Sequence, residues 1–294
     1  MELHQLRYVL AVAETGGFIR AAEACGIAQP SLSQQIIKLE RELGTPLFDR
    51  LGRSVALTDA GRALLPHARN ALQAVREAER AVREDPAGGK GPLAVGAIPT
   101  IAPYLLPPVV KSFTRAFPHA ELTIREDLTE RMIDALKRAE IDLAILSPPI
   151  DDDAIETEDL FHEPFLVAVP KQHALSKAKN IPLRGLEEEN VVVLHEMHCL
   201  GQQMESFCRA SGIHRRIVCR TTQLGTVQEM VSLGLGVSLT PKMCADADKT
   251  SKRAYLPLQD AHPGRTIAIA WRKGRTRSRL AEGFAQILRG NSAI

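Results

Sequence analysis

The stretch FIRAAEACGIAQPSLSQQIIKLEREL (residues 18–43) contains two short helical patterns separated by a turn at Gly26. Apolar residues recur at three- and four-residue steps on both sides of that glycine, which is a common helix-ending residue. Gln29-Pro30 opens the second pattern, because proline is favourable at the first helical position, where its missing N–H costs nothing. An earlier pattern from Leu3 to Ala13 predicts a further helix, which ends at Thr15-Gly16-Gly17. Helices of this size joined by a tight turn predict a helix-turn-helix.

The third helix, from Pro30 to about Leu43, is predicted to be amphipathic. Its inward face is expected to hold Leu32, Ile36, Leu39 and Leu43. Short polar side chains near its start suit the base edges and phosphates of a DNA major groove. The candidate DNA-binding residues here are Gln29, Pro30, Ser31, Ser33, Gln34 and Lys38. For each residue taken alone, an ordinary solvated helix face remains an equal alternative.

The segment LFDRLGRSVALT (residues 47–58) predicts a short hairpin with Arg50 and Arg53 near its tip. Such a wing could hold both arginines over the DNA backbone or minor groove. Surface arginines without a DNA contact are the alternative.

Composition indicates a globular protein with two domains, since 45% of the 294 residues are hydrophobic and 24% are charged. A net charge of +2 does not by itself indicate a nucleic-acid binder. Neither a signal sequence nor a membrane-spanning run is predicted, so we expect a cytoplasmic protein without membrane contact. Five cysteines without metal-ligand spacing predict no disulfide framework, no metal site and no cofactor.

A long helix is predicted from Thr58, a suitable cap, to about Glu84. Its apolar positions alternate four- and three-residue steps, which is typical of a coiled-coil seam. The seam consists of Leu64, Ala68, Ala71, Val75, Ala78 and Val82. Such a seam favours packing against another helix, with packing against its own domain as the alternative. Residues 85–92 then predict a hinge-like linker.

Beyond the linker, strand-like and helical patterns alternate as in parallel βαβ units. Two sets of such units predict two α/β subdomains. Ligands of open α/β sheets bind beyond the carboxyl ends of the strands. Thr100 and Thr129 follow the first two predicted strands of this region and are therefore candidates for a binding site.

The order of motifs in the first 61 residues closely resembles the winged helix-turn-helix of LysR-type transcriptional regulators. The matching motifs are Phe18-Ile19-Arg20-Ala21-Ala22, Gln29-Pro30-Ser31-Leu32-Ser33, Leu39-Glu40, Leu43-Gly44, Leu47-Phe48-Asp49-Arg50 and Leu57-Thr58-Asp59-Ala60-Gly61. The resemblance implies an α/β protein with an α-rich winged helix-turn-helix head, a long linker helix, and a periplasmic-binding-protein-like effector domain of two subdomains. It implies boundaries at 1–58, 59–91 and 92–294. The implied partners are double-stranded operator DNA, RNA polymerase and further copies of the chain in a homodimer or homotetramer.

Two cysteines lie nine residues apart in the run HCLGQQMESFC (residues 198–208). The apolar spacing predicts a helix, in which Cys199 and Cys208 would lie on opposite faces, roughly 13 Å apart along the axis. A disulfide needs Cα atoms within about 7 Å. A bond between these cysteines would therefore require the helix to unfold, which makes the pair a candidate switch.

This segment resembles the peroxide-sensing OxyR branch of the LysR-type regulators. That resemblance implies that Cys199 attacks hydrogen peroxide and that Cys208 resolves the resulting sulfenic acid. It also implies that Thr100, Thr129 and His198 line the peroxide pocket.

One departure from the branch is that its members commonly carry Arg-Asp-Gln after the leucine, where this chain has Gly201-Gln202-Gln203. Without that arginine, activation of the thiol is left to His198, Arg220 or the helix dipole. One alternative function is a LysR-type regulator that binds a small metabolite between its subdomains. Another is a thiol peroxidase-like enzyme, which the helix-turn-helix disfavours, so we expect the protein not to be an enzyme.

Overall fold

The structure is a computed structural model that describes residues 1–51, 54–83, 89–187, 189–210 and 216–291. It divides into two compact units, Met1–Glu84 and Asp85–Ile294. Within the described ranges, no helix combines the length and the apolar character that crossing a membrane requires.

The first unit contains the predicted helix-turn-helix and hairpin. Its elements are α1 (Leu3–Thr15), α2 (Phe18–Cys25), α3 (Gln29–Leu43), β1 (Phe48–Leu51), β2 (Ser54–Leu57) and α4 (Asp59–Arg83). Each of the first three helices is followed by a glycine in the left-handed conformation, which only glycine adopts without strain. Strands β1 and β2 pair antiparallel from Phe48↔Leu57 to Leu51↔Ser54.

The core of this unit is formed by α1, α2, α3 and the start of the hairpin. Leu32, Ile36 and Leu39 of α3 are fully buried in it. Leu43 was expected on the same inner face, but it is 41% exposed. That expectation was wrong because the apolar stripe of α3 continues one helical turn beyond the core on which the helix packs.

Helix α4 begins as the sequence predicts, with the Thr58 hydroxyl accepting a hydrogen bond from the Gly61 amide at 3.0 Å. Ala68 is buried, and Leu64 packs against the core of this unit. The start of the predicted seam thus contacts its own domain. Ala71 and Val75 are half-buried and Ala78 is exposed, while the side chain of Val82 lies outside the described part of the chain.

The second unit opens with a parallel three-stranded arrangement. It consists of β3 (Gly91–Ala97), α5 (Ala102–Ala116), β4 (Ala120–Glu126), α6 (Thr129–Lys137) and β5 (Leu143–Leu146), with β3 between β4 and β5. The remaining elements are β6 (Ile155–Pro170), β7 (Asn190–Leu194), α7 (Cys199–Ala210), β8 (Arg216–Thr221), α8 (Leu224–Ser232), β9 (Ser238–Pro241), α9 (Lys242–Ala247), β10 (Arg253–Leu256), β11 (Gly264–Arg272) and α10 (Arg279–Asn291).

Two hydrophobic cores lie in this unit, which agrees with the predicted pair of subdomains. The long strand β6 connects them: its first part pairs with β11, and its last part pairs with β9 and β10. These pairings are antiparallel, whereas a parallel sheet was predicted throughout. The chain crosses between subdomains on β6 and returns on β11, so adjacent crossing strands must run in opposite directions.

Candidate functional site

Cys199 is the first residue of α7, the helix that the apolar spacing predicts between the two cysteines. Nine residues at 1.5 Å per residue separate the two Cα atoms by about 13 Å along the helix axis. Cys199 packs against the core of the first subdomain, while Cys208 packs against the core of the second. All five cysteines are described, and none forms a disulfide. The structure is therefore a reduced form in which α7 holds the two sulfurs apart.

A small pocket surrounds the Cys199 sulfur. Its walls are Ile98, Pro99, Thr100, Leu128, Thr129, His198 and Cys199. Thr100 follows strand β3, and Thr129 begins α6 after β4, so the loops at the ends of two parallel strands meet the start of α7. The structure thus brings together the four residues that the sequence selected for the pocket.

Opposing effects act on the Cys199 thiol. Burial raises its pKa above the ordinary value of 9.0, since the thiolate loses hydration. The positive charge of Arg265 and hydrogen bonds from Thr129 and from backbone amides at the start of α7 lower the pKa, but burial outweighs them. Cys199 therefore rests as a thiol, and those groups favour the thiolate when it forms.

Arg265 is the charged residue near this pocket that sequence reasoning missed. Its guanidinium is fully buried and donates to the Thr100 hydroxyl at 2.8 Å and to the Thr100 carbonyl at 2.9 Å. Its Nε donates to Glu163 at 2.7 Å. Arg265 lies near the start of the apolar strand β11, 66 positions after Cys199, and a charged residue beside such a run was the only available signal.

Of the groups expected to activate the thiol, the start of α7 contributes through its backbone amides, whereas His198 and Arg220 have other roles. His198 is buried, and burial together with nearby His195 lowers its pKa, against a hydrogen bond to the Thr222 backbone. His198 is therefore neutral at pH 7 and supplies hydrogen-bonding capacity rather than charge. Arg220 forms an ion pair with Glu196 near the surface and lines a different cavity, which also contains Cys208. The charge at the Cys199 pocket thus comes from Arg265.

The structure explains why position 201 is a glycine, which the sequence did not reveal. A Cβ at this position would lie 2.5 Å from the His195 carbonyl oxygen and 2.8 Å from that of Leu194. The first turn of α7 packs directly on the end of β7, so there is no space for a side chain.

We expect Gly201→Ala to destabilise the reduced protein, although alanine favours helices by about 1 kcal/mol over glycine. The backbone contact must open, and overpacking of this kind costs about 1–3 kcal/mol. Urea unfolding of the reduced protein measures the change. Gly225→Ala in α8, where an added Cβ meets nothing within 4 Å, is the matched control and should be neutral or stabilising. An equal response of both variants would contradict the role of close packing.

Six of the candidate DNA-binding residues lie on α3. Gln29, Pro30, Ser31, Gln34 and Lys38 are exposed and Ser33 is partly exposed. The Gln29 amide donates to the Ser33 hydroxyl at 2.8 Å, which orders this polar group. The backbone of Arg50 lies in β1, but nothing is described of its side chain, and Arg53 lies outside the described residues. The polar face of α3 is therefore exposed and available for binding.

A helix-turn-helix and hairpin in one unit, and a buried cysteine pocket in a two-subdomain α/β unit, define a ligand- or signal-responsive transcriptional regulator. Residues 3–62 match the family of bacterial regulatory helix-turn-helix proteins of lysR type, and residues 86–293 match the LysR substrate binding domain. The chain belongs to the LysR family.

Individual relatives show which members of the LysR family this chain is similar to. The chain is 34% identical to the DNA-binding transcriptional dual regulator OxyR of Escherichia coli K12, over 98% of this chain and 95% of the relative. It is 35% identical to the hydrogen peroxide-inducible genes activator of Dickeya chrysanthemi, over 93% and 90% of the two chains. The full-length OxyR of Pseudomonas aeruginosa, with a cysteine-to-aspartate substitution, superposes with a TM-score of 0.76 at 32% identity, over 98% of this chain and 95% of that one. The prediction of a LysR-type regulator resembling the peroxide-sensing branch is confirmed.

Proposed function

We propose that the protein is a DNA-binding transcriptional regulator that senses hydrogen peroxide through Cys199 and holds the signal as a Cys199–Cys208 disulfide. The observation that supports this most directly is the pocket in which Cys199 meets Thr100, Thr129 and His198, with Arg265 behind Thr100. Relatives named as hydrogen peroxide-inducible genes activators agree with it.

The chemistry proceeds in two balanced steps. The Cys199 thiolate attacks one peroxide oxygen, the O–O bond breaks, and the leaving hydroxide takes a proton to become water, which leaves a sulfenic acid. The Cys208 thiol then attacks the sulfenic sulfur, and the S–O bond breaks with release of a second water. The two cysteines together supply two electrons. Hydroxyl, imidazole and guanidinium donors around the pocket would stabilise the developing oxyanion.

The second step requires α7 to unwind, because a disulfide cannot span about 13 Å. Cys199 and Cys208 would leave their separate cores, and Gln203, which donates to Ser147 and Pro148 of the first subdomain at 3.1 Å, would lose its contacts. Such a refolding would change the surface of the effector domain. In a homodimer or homotetramer it would alter how the DNA-reading heads engage operator DNA and RNA polymerase.

We include in this proposal the division into a head (1–58), a linker and dimerisation helix with its hinge (59–91), and an effector domain (92–294). The proposed DNA-binding residues are Gln29, Pro30, Ser31, Ser33, Gln34 and Lys38 on α3, with Arg50 and Arg53 in the wing. The protein acts in the cytoplasm, where its DNA is, and as a stoichiometric switch rather than a turnover enzyme.

The decisive experiment is titration of the reduced protein with near-stoichiometric hydrogen peroxide, followed by mass-spectrometric mapping of disulfides. A rapid Cys199–Cys208 bond is expected. If Cys199 remained a thiol while operator binding responded to a small organic acid, the protein would be a metabolite-binding LysR regulator.

The rate of peroxide reaction should rise about tenfold per pH unit between pH 6 and pH 8, since only the thiolate attacks and the Cys199 pKa lies above this range. Stopped-flow measurement of sulfenic acid formation tests this. A rate that is flat across the interval would indicate a thiolate already formed at pH 6 and would contradict the raised pKa.

A further inference from the structure

We propose that Glu163 is a positioning residue for the sensing site. Glu163 holds the Arg265 guanidinium against Thr100 and toward Cys199. This inference rests on the proposed function of Cys199. Nothing in the peroxide chemistry uses Glu163 directly, and it does not line the pocket.

The strand register places the two residues together. Glu163 of β6 and Arg265 of β11 are directly opposite in the antiparallel ladder, so their side chains emerge on the same face. The strands approach closely here, since a Cβ on the neighbouring Gly264 would lie 2.6 Å from the Glu163 carbonyl oxygen. The pair lies on the two strands that connect the subdomains.

Each carboxylate oxygen of Glu163 has its own donor. Oε2 accepts from Arg265 Nε at 2.7 Å, and Oε1 accepts from the backbone amide of Met243 at 2.9 Å, in the first turn of α9. A carboxylate can accept from both, whereas a glutamine would present an NH₂ group to one of them. Glu163 therefore fixes Arg265 relative to a second, independent anchor.

Arg265 in turn reaches the pocket on the side away from Glu163. Its two terminal nitrogens bind the hydroxyl and the carbonyl of Thr100, which lines the pocket with Cys199. With one edge of the guanidinium held by Glu163 and the other by Thr100, its position is set from both sides. The planar fork of arginine suits such fixation.

The two possible roles of Glu163, as a negative charge and as a positioning residue, predict opposite changes in the Cys199 pKa when Glu163 is replaced. If Glu163 acted only as a negative charge, its removal would leave Arg265 uncompensated, and the Cys199 pKa would fall. General loosening would also lower the pKa, because burial is what raises it. Loss of positioning moves Arg265 away from the thiolate and raises the pKa.

Glu163 shares a cavity with Tyr104, His162, Lys242 and Asp246. The last three are the same in the wild type and in every variant, so their charges cancel when the Cys199 profiles are compared. Tyr104 on α5 has a pKa raised by burial, and burial raises that of Cys244 on α9 to about 11. Both are neutral between pH 7 and pH 10, and so is His198.

The test is the pH dependence of iodoacetamide alkylation at Cys199 in the reduced full-length protein, quantified on the Cys199 peptide between pH 7 and pH 10. Glu163→Gln should slow alkylation about tenfold at each pH below the pKa, which corresponds to a rise of about one unit. Asp142→Asn is the matched control, because Asp142 is also buried and accepts from one arginine, Arg275, and one backbone amide, Ala94, at 2.8 Å each. It should leave the Cys199 profile unchanged.

Glu163→Asp provides a second variant in case the glutamine variant does not fold. It keeps the charge but shortens the side chain by about 1.5 Å, so it cannot hold both donors, and Cys199 alkylation should again slow. Faster alkylation in Glu163→Gln, or a wild-type profile in Glu163→Asp, would overturn the proposal. Since alkylation needs neither peroxide nor a disulfide, absence of the disulfide in oxidised protein would refute the proposed function without affecting this result.

Discussion

Cys199→Ser should abolish the response of operator binding to hydrogen peroxide, while the reduced protein should still bind DNA. Serine cannot form a sulfenic acid or a disulfide, so the first step of the switch is removed. Footprinting on operator DNA with and without peroxide measures the effect. Cys208→Ser should differ from Cys199→Ser in its chemistry. Peroxide would still oxidise Cys199 to a sulfenic acid, but that sulfenic acid would have no cysteine partner for a disulfide.

Cys219→Ser is the matched control, since Cys219 is partly buried like Cys199 and Cys208 and packs against the core of the second subdomain, as Cys208 does. Its response to peroxide should equal that of the wild type. A full peroxide response in Cys199→Ser would contradict the sensing role of this residue. A lost response in Cys219→Ser would point to a different pair of cysteines.

Arg265→Met should lower the free energy of unfolding by about 3–5 kcal/mol, because it leaves the buried Glu163 carboxylate without its cation. The same change removes the charge that favours the Cys199 thiolate, so peroxide reactivity should fall by at least an order of magnitude. Urea unfolding and stopped-flow kinetics measure the two effects separately.

Arg289→Met is the comparison for stability, because Arg289 also pairs with a glutamate of β6, donating two hydrogen bonds to Glu158, but both side chains are about one-third exposed. Exposed pairs contribute about 0–1 kcal/mol, so this variant should remain close to the wild type. Adding Glu163→Gln to Arg265→Met should restore part of the stability, since no unpaired charge remains, without restoring reactivity. Equal losses of stability in Arg265→Met and Arg289→Met would contradict the stabilising role of the buried Arg265–Glu163 pair.

The helix-turn-helix could be predicted from the sequence because its signals are local. Apolar residues at three- and four-residue steps, Pro30 at a helix start, and Gly26 and Gly44 after helix ends each act within a few positions. The helix between Cys199 and Cys208 was predictable for the same reason. Leu43 shows the limit, since its burial depends on how far the neighbouring helices extend.

The second unit was predictable only in part. Strands β3, β4 and β5 and their helices follow the local pattern, but the first half of β6 was not predicted as a strand. Residues 155–164 (IETEDLFHEP) lack a regular apolar alternation, and their strand conformation depends on pairing with β11 from about 110 positions later. Long-range pairing of this kind leaves little local signal.

Sequence by itself determined the family and the helix that separates the two cysteines, and its resemblance to the peroxide-sensing branch proposed Cys199, Thr100, Thr129 and His198 for the pocket. Only the tertiary structure decided which charge lies near the Cys199 sulfur and how deeply that sulfur is buried. The antiparallel register brings Arg265 opposite Glu163 and behind Thr100, and the packing of α7 on β7 explains Gly201. Burial and distance set the pKa of a thiol, and both are properties of residues far apart in the chain, so no local pattern could supply them.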